Sequence, residues 1–254
     1  MTRPRSAGWL ERAARPVRRS GHRLGLALLT TALFAAALLA AAPPRTEPGV
    51  SVRGSVRVME RTLFAGLRER EDRSGAIVYL TGFAQPAREK VVTLAQRDER
   101  FEPKLLPIVA GQSVAFPNFD RIYHNVFSVS PIKNFDLGQY RSTDPPRSVV
   151  FESPGLVPIF CNIHPHMISY VVVLENPAFS LTAADGSFEI TGAPPGPVTV
   201  NAWIPGATRV SQPLTLADGV ESAVALELVA SEKVAPHKRK DGTPYPKKGP
   251  KYKR

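Results

Sequence analysis

The stretch Phe160–Met167 (FCNIHPHM) constrains this chain more than any other. It holds the only cysteine, two of the five histidines and one of the three methionines. The run Val157–Cys161 leads into it and Ser169–Leu174 (SYVVVL) leaves it, so it reads as a loop between two strands. A thiolate, an imidazole and a thioether spaced Cys-x2-His-x2-Met are ligand types of a mononuclear copper site, which needs one more imidazole from elsewhere. His124 is the expected source, carried on a neighbouring strand end. A β-sandwich meets that demand, because it gathers loops from several strands at one end.

The expected ligands are therefore His124, Cys161, His164 and Met167, around one copper ion. Cu(I) favours soft sulfur and Cu(II) favours imidazole nitrogen, so this mixed set suits neither state fully and rearranges little when one electron moves. Pro165 stiffens the loop. Asn125 and Asn162 each follow a ligand in sequence and are expected to hydrogen-bond through their side chains, bracing the two ligand segments. His166 competes with His164 as a ligand or adds to the set, but its place beside Met167 points it to solvent. Two other chemistries share these residues. Structural zinc takes four strong nitrogen or sulfur ligands, and a methionine stands in for one here. A Cys–His nucleophile pair wants an orienting amide or acid and a lowered thiol pKa, and no helix N-terminus offers the latter.

Around this centre the chain reads as short strands and turns, with 25 prolines and 18 glycines. Val52, Val56 and Val58 share one parity in a half-buried strand, and Ala76–Leu80 (AIVYL) is a buried one. Arg61–Ser74 is charge-dense and reads as an exposed loop or short helix, and 129–146 as loop. After Asn176-Pro177 short strands alternate with Asp185-Gly186, Pro194-Pro195-Gly196 and Asp218-Gly219 turns, which suggests a second small sandwich. At about 55 residues it buries too little apolar surface alone, so it is expected to pack against the first. The expected domains are 51–175 and 176–230, with a Pro-rich linker at 43–50.

Both ends are basic. The net charge is +11, of which +6 lies in residues 1–23 and +7 in 231–254, so 24–230 carries −2. A nearly neutral body argues against nucleic acid as a partner. Residues 231–254, rich in Lys, Pro and Gly, are expected to be disordered, and the tail is either simply solvated or contacts an acidic partner or an anionic surface. Leu24–Ala42 runs 19 residues without a charge behind an arginine-rich flank. Residues 1–42 thus read as a signal peptide or an N-terminal membrane-anchor helix, with Arg18-Arg19 a weak twin-arginine signal. The body is expected outside the cytoplasm, in the periplasm or cell envelope.

On these residues the chain resembles the cupredoxins, plastocyanin-like proteins in the wide sense. Amicyanin shares the ligand-loop spacing, with proline after the histidine. PNFDRIYHNVFS (Pro117–Ser128), KNFDLGQY (Lys133–Tyr140) and VPIFCNIHPHM (Val157–Met167) also resemble exported methylamine-utilisation-like proteins. The resemblance implies an all-β chain with a Greek-key cupredoxin sandwich over about 50–175. It implies copper at one end on the four residues named above, and His164 near the surface through which electrons pass. LTAADGSFEITGAPPGPVTVNAW (Leu181–Trp203) is similar to the carboxypeptidase regulatory-like, prealbumin-type sandwich, a structural or carbohydrate-binding-like module. The expected function is single-electron transfer between redox partner proteins of cytochrome or dehydrogenase type. The alternative is a non-redox copper carrier or envelope scaffold. No enzyme activity is expected, since a second copper would need histidines beyond His166, and only His22 and His237 remain, both in terminal segments.

Overall fold

The computed structural model describes residues 50–62, 66–230 and 237–245, so the expectations for the leader and for the linker up to residue 49 lie outside the described residues. Among the described residues the chain is all-β, and no helix is long and apolar enough to cross a membrane. The strands are β1 (Val50–Thr62), β2 (Gly66–Glu69), β3 (Ile77–Thr81), β4 (Val91–Thr93), β5 (Ala95–Arg97) and β6 (Arg100–Glu102). They continue as β7 (Leu105–Val109), β8 (Ser113–Phe116), β9 (His124–Val129), β10 (Asn134–Tyr140), β11 (Arg147–Val150) and β12 (Gly155–Phe160). The last are β13 (Ile168–Leu174), β14 (Phe179–Leu181), β15 (Ser187–Ala193), β16 (Gly196–Trp203), β17 (Val210–Leu216) and β18 (Glu221–Ala230).

The first sandwich opposes a sheet ordered β10-β9-β12-β13-β7 to one ordered β11-β8-β4, with a β5-β6 hairpin beside them. Its non-consecutive neighbours are those of a Greek-key arrangement, and β13·β7 and β4·β8 are parallel. Leu94, Phe116, Val126, Tyr140, Phe151 and Ile159 fill its core, and Cys161 and Met167 belong to the same cluster.

The second sandwich is larger than the turn pattern after Asn176 suggested. One sheet runs β15-β1-β18 with β2 on β1, and the other runs β14-β3-β16-β17. β1 lies parallel to β18 from Ser51↔Glu221 to Glu60↔Ala230, and β3 pairs with β14 and β16. β1, β2 and β3, within the 51–175 expected as the first domain, therefore belong to the second sandwich, and the first sandwich is inserted between β3 and β14. The physical reason is burial. Val52, Val56, Val58, Val78 and Leu80 supply the apolar face that the C-terminal strands lack alone. β1 approaches β18 so closely that a Cβ on Gly54 would lie 1.9 Å from the Val224 carbonyl oxygen.

Two further expectations are corrected. Within Arg61–Ser74, Gly66–Glu69 is a strand, because Glu60 faces Arg68 and Arg57 reaches Glu69 across the β1–β2 pair. Within 129–146, Asn134–Tyr140 is an edge strand on β9, whose register irregularity between Asp136 and Gln139 hides its period in the sequence.

The insertion's ends meet. Gln85 N–H donates to the Glu175 carbonyl at 3.0 Å, and buried Asn176 donates to the Leu80 and Phe83 carbonyls at 3.1 and 2.9 Å. Ile77, Tyr79, Leu105, Val172 and Leu174, with Trp203 against them, form the apolar joint between the sandwiches.

Candidate metal centre

His124 opens β9, and Cys161 directly follows β12. The β9–β12 pairing at Phe127↔Phe160 brings these two strand ends together. His124, Cys161 and His164 each offer a ligand atom, and these atoms all lie within 4.8 Å of one another. His124 Nδ1 faces His164 Nδ1 at 3.0 Å, and Cys161 Sγ lies 3.7 Å from His164 Nδ1. All three residues are buried, His164 included at 3% exposure. The ring expected near the surface thus lies beneath it, with its loop neighbours Pro165 and His166 exposed.

The loop closes on itself through its main chain. Cys161 N–H donates to the Met167 carbonyl at 3.3 Å, and Met167 N–H to the His164 carbonyl at 3.1 Å. Met167 is buried in the same core cluster as Cys161. His166 stands outside the group. Its ring is exposed and its Nε2 lies 3.6 Å from the Glu99 carboxylate.

Asp120 joins the site from outside the set of residues expected from sequence. Its Oδ2 lies 2.7 Å from His124 Nε2, so the ring's other nitrogen is fixed and Nδ1 is turned to the site. The Asp98 and Glu99 N–H groups donate to the same carboxylate at 2.8 and 3.0 Å. Burial pushes the Asp120 carboxyl up, but the hydrogen bonds from Glu99, His124 and Asp98 outweigh it and hold it below the usual range. The legible signal was an acid four residues ahead of a histidine, just after Pro117-Asn118.

The expected asparagine brace exists in a different form. Asn162 donates its main-chain N–H, not its side chain, to Asn125 Oδ1 at 3.2 Å. Asn125 Nδ2 donates to Asp136 Oδ1 at 2.7 Å.

The donors are prepared for a cation. Burial, then the neighbouring His124 ring, pushes His164 down to about 4, so its ring is a neutral donor at pH 7. Burial pushes the Cys161 thiol up, while N–H groups of Asn125, Ile163 and His164 oppose that shift. The Ile163 N–H lies 3.4 Å from Sγ. Binding a metal ion here must displace the thiol proton. Two imidazole nitrogens and one thiolate, with a buried thioether on the same loop, fit copper's donor preferences.

No family model matches the chain, and no curated protein matches it. In structure it is similar to cupredoxins. A purple cupredoxin from Nitrosopumilus maritimus matches at 22% identity, covering 32% of this chain and 98% of that one, with a TM-score of 0.30. Amicyanin from Paracoccus versutus matches at 21% identity over 38% of this chain and 97% of its own, with a TM-score of 0.31. A copper-containing nitrite reductase from Thermus scotoductus SA-01 matches at 24% identity over 38% of this chain but 25% of its own, with a TM-score of 0.31.

Proposed function

We propose that this chain is a mononuclear copper protein that carries single electrons between partner proteins. The observation that carries the reading is the convergence of buried His124, His164 and Cys161, whose ligand atoms lie within 4.8 Å of one another. When bound there, copper would supply a one-electron Cu(II)/Cu(I) couple. His124 and His164 would hold it through nitrogen and Cys161 through sulfur, with Met167 as the fourth, weak donor. Asp120 fixes the His124 ring, and the N–H groups at Sγ share the thiolate's charge. Burial of all three donors supports an electron carrier over a protein that hands copper on, because a closed cage exchanges its ion slowly.

The same reading makes the chain a carrier rather than an enzyme. It places the body in the periplasm or cell envelope, with 24–42 as its signal or anchor. The second sandwich serves as a structural and docking module of carboxypeptidase regulatory-like type. Partners of cytochrome or dehydrogenase type fit this role. The test is protein-film voltammetry of the copper-loaded chain. A reversible one-electron wave that disappears in Cys161→Ser supports the carrier, and a loaded chain that never cycles makes it a copper store.

A further inference from the structure

Of the tail 231–254, expected to be disordered, only 237–245 is among the described residues, and that stretch lies on the ligand loop. The His237 ring stacks on Phe160, with centroids 4.3 Å apart and planes at 23°. Tyr245 meets His237 edge-on at 5.1 Å and 82°. Its hydroxyl donates to the Cys161 carbonyl. Main-chain groups at a strand end need partners, and the loop supplies one for the Cys161 N–H from within itself. For the Cys161 carbonyl the partner comes from the tail. Burial pushes the Tyr245 phenol up, so the hydroxyl stays a donor.

Lys240 adds a second tie. Its main-chain N–H donates to Asn162 Oδ1 at 2.9 Å, and its ammonium pairs with Asp136 Oδ2. Asp136 Oδ1 accepts from Asn125 Nδ2 at 2.7 Å, and Asn125 Oδ1 accepts from the Asn162 N–H at 3.2 Å. Asn125, Asp136, Lys240 and Asn162 therefore close a ring of polar contacts. Two of its corners are the chain neighbours of His124 and Cys161. Without Lys240 the ring opens, and only the Asn125–Asn162 contact still joins the two ligand segments through it.

We propose that His237–Tyr245 is an intramolecular strap that locks the two ligand-bearing segments together, with Lys240 and Tyr245 as positioning residues for His124 and Cys161. Its side chains divide the work. His237 and Tyr245 cover Phe160 and the Cys161 main chain, while Lys240 bridges to β10. The strap shields the thiol in the metal-free chain and holds the donor cage when copper is present. The second of these roles rests on the copper reading, and the first does not.

The experiment uses the full chain in two arms. In the metal-free arm, iodoacetamide alkylation of Cys161 is timed in the native chain and in a His237→Ala/Tyr245→Ala variant. The strap predicts alkylation about tenfold faster in the variant, the effect of losing one or two hydrogen bonds that hold the loop shut. Equal rates in two chains with matching circular dichroism overturn it. Should the double variant unfold, Tyr245→Phe, which removes only the hydroxyl, carries the same comparison. In the copper arm, Lys240→Ala is expected to weaken copper binding about tenfold, at the lower end for loss of a partner behind a metal ligand, and to alter the thiolate–copper band. Lys240→Arg, which can still reach Asp136, should restore both. Native affinity and spectrum in Lys240→Ala contradict the strap. A native chain that takes up no copper sinks the copper reading instead, and the alkylation arm then decides on the strap alone.

Discussion

His124 and His164 face each other nitrogen to nitrogen, Nδ1 to Nδ1 at 3.0 Å, in a pocket closed to solvent. One opens a strand and the other sits in a loop 40 residues later. With the Cys161 thiol 3.7 Å from His164 Nδ1, two nitrogens and a sulfur that can each ligate a metal are gathered in one place.

Asp120 turns His124 toward the site, so Asp120→Asn should lower copper affinity by about 10–100-fold while leaving the fold intact. The single amide oxygen of asparagine cannot serve His124, Asp98 and Glu99 as the carboxylate does. Competition against a chelator of known affinity measures the loss.

His166→Ala should leave the copper spectrum and affinity as they are in the native chain. The His166 ring is exposed and turned to Glu99, outside the group formed by His124, Cys161 and His164. A bleached or shifted visible band in this variant would show that His166 reaches the metal.

Gly54→Val tests the inserted architecture. Its side chain would meet the Val224 carbonyl and the Phe188 ring, forcing β1 away from β18. The expected cost is about 3 kcal/mol or more, at or above the upper end for overpacking, read from denaturant unfolding. A variant as stable as the native chain would mean that β1 does not pair with β18.

Acid should release the strap. Burial lowers the His237 pKa against the opposing main-chain contacts of Lys238 and Pro165, and its ring faces Phe160, Phe127 and the Tyr245 hydroxyl at 3.3 Å. The undocked ring titrates near 6.5 and the docked ring lower, so the undocked form binds more protons between those values. Docking is therefore complete above about pH 6.5 and is lost as the pH falls through the lower docked value. The Tyr245 ring resonances should move to solvent-exposed positions over that window in NMR spectra of the metal-free chain. Resonances that stay fixed through acid would show that His237 protonation does not control the contact.

The metal site was the more legible half of this chain. Cys161, His164 and Met167 announce themselves because their donor chemistry and spacing are local, and His124 stands at the start of an apolar strand. Asp120 and Lys240 were harder, since an acid in a turn and a lysine in a basic tail have many solvated counterparts. The fold divides the same way. Val52, Val56 and Val58 correctly marked the buried face of β1. Period-2 alternation names a face and not a partner, and the partner of Ser51 is Glu221, at the far end of the chain. A parallel pairing across an inserted sandwich leaves no local trace in either strand.

The most direct test of the account is one visible absorption spectrum of the purified chain with one equivalent of Cu(II). The account predicts an intense thiolate-to-copper charge-transfer band that saturates at one copper per chain and is absent in Cys161→Ser. A colourless complex, or a band that survives loss of the Cys161 sulfur, would contradict it.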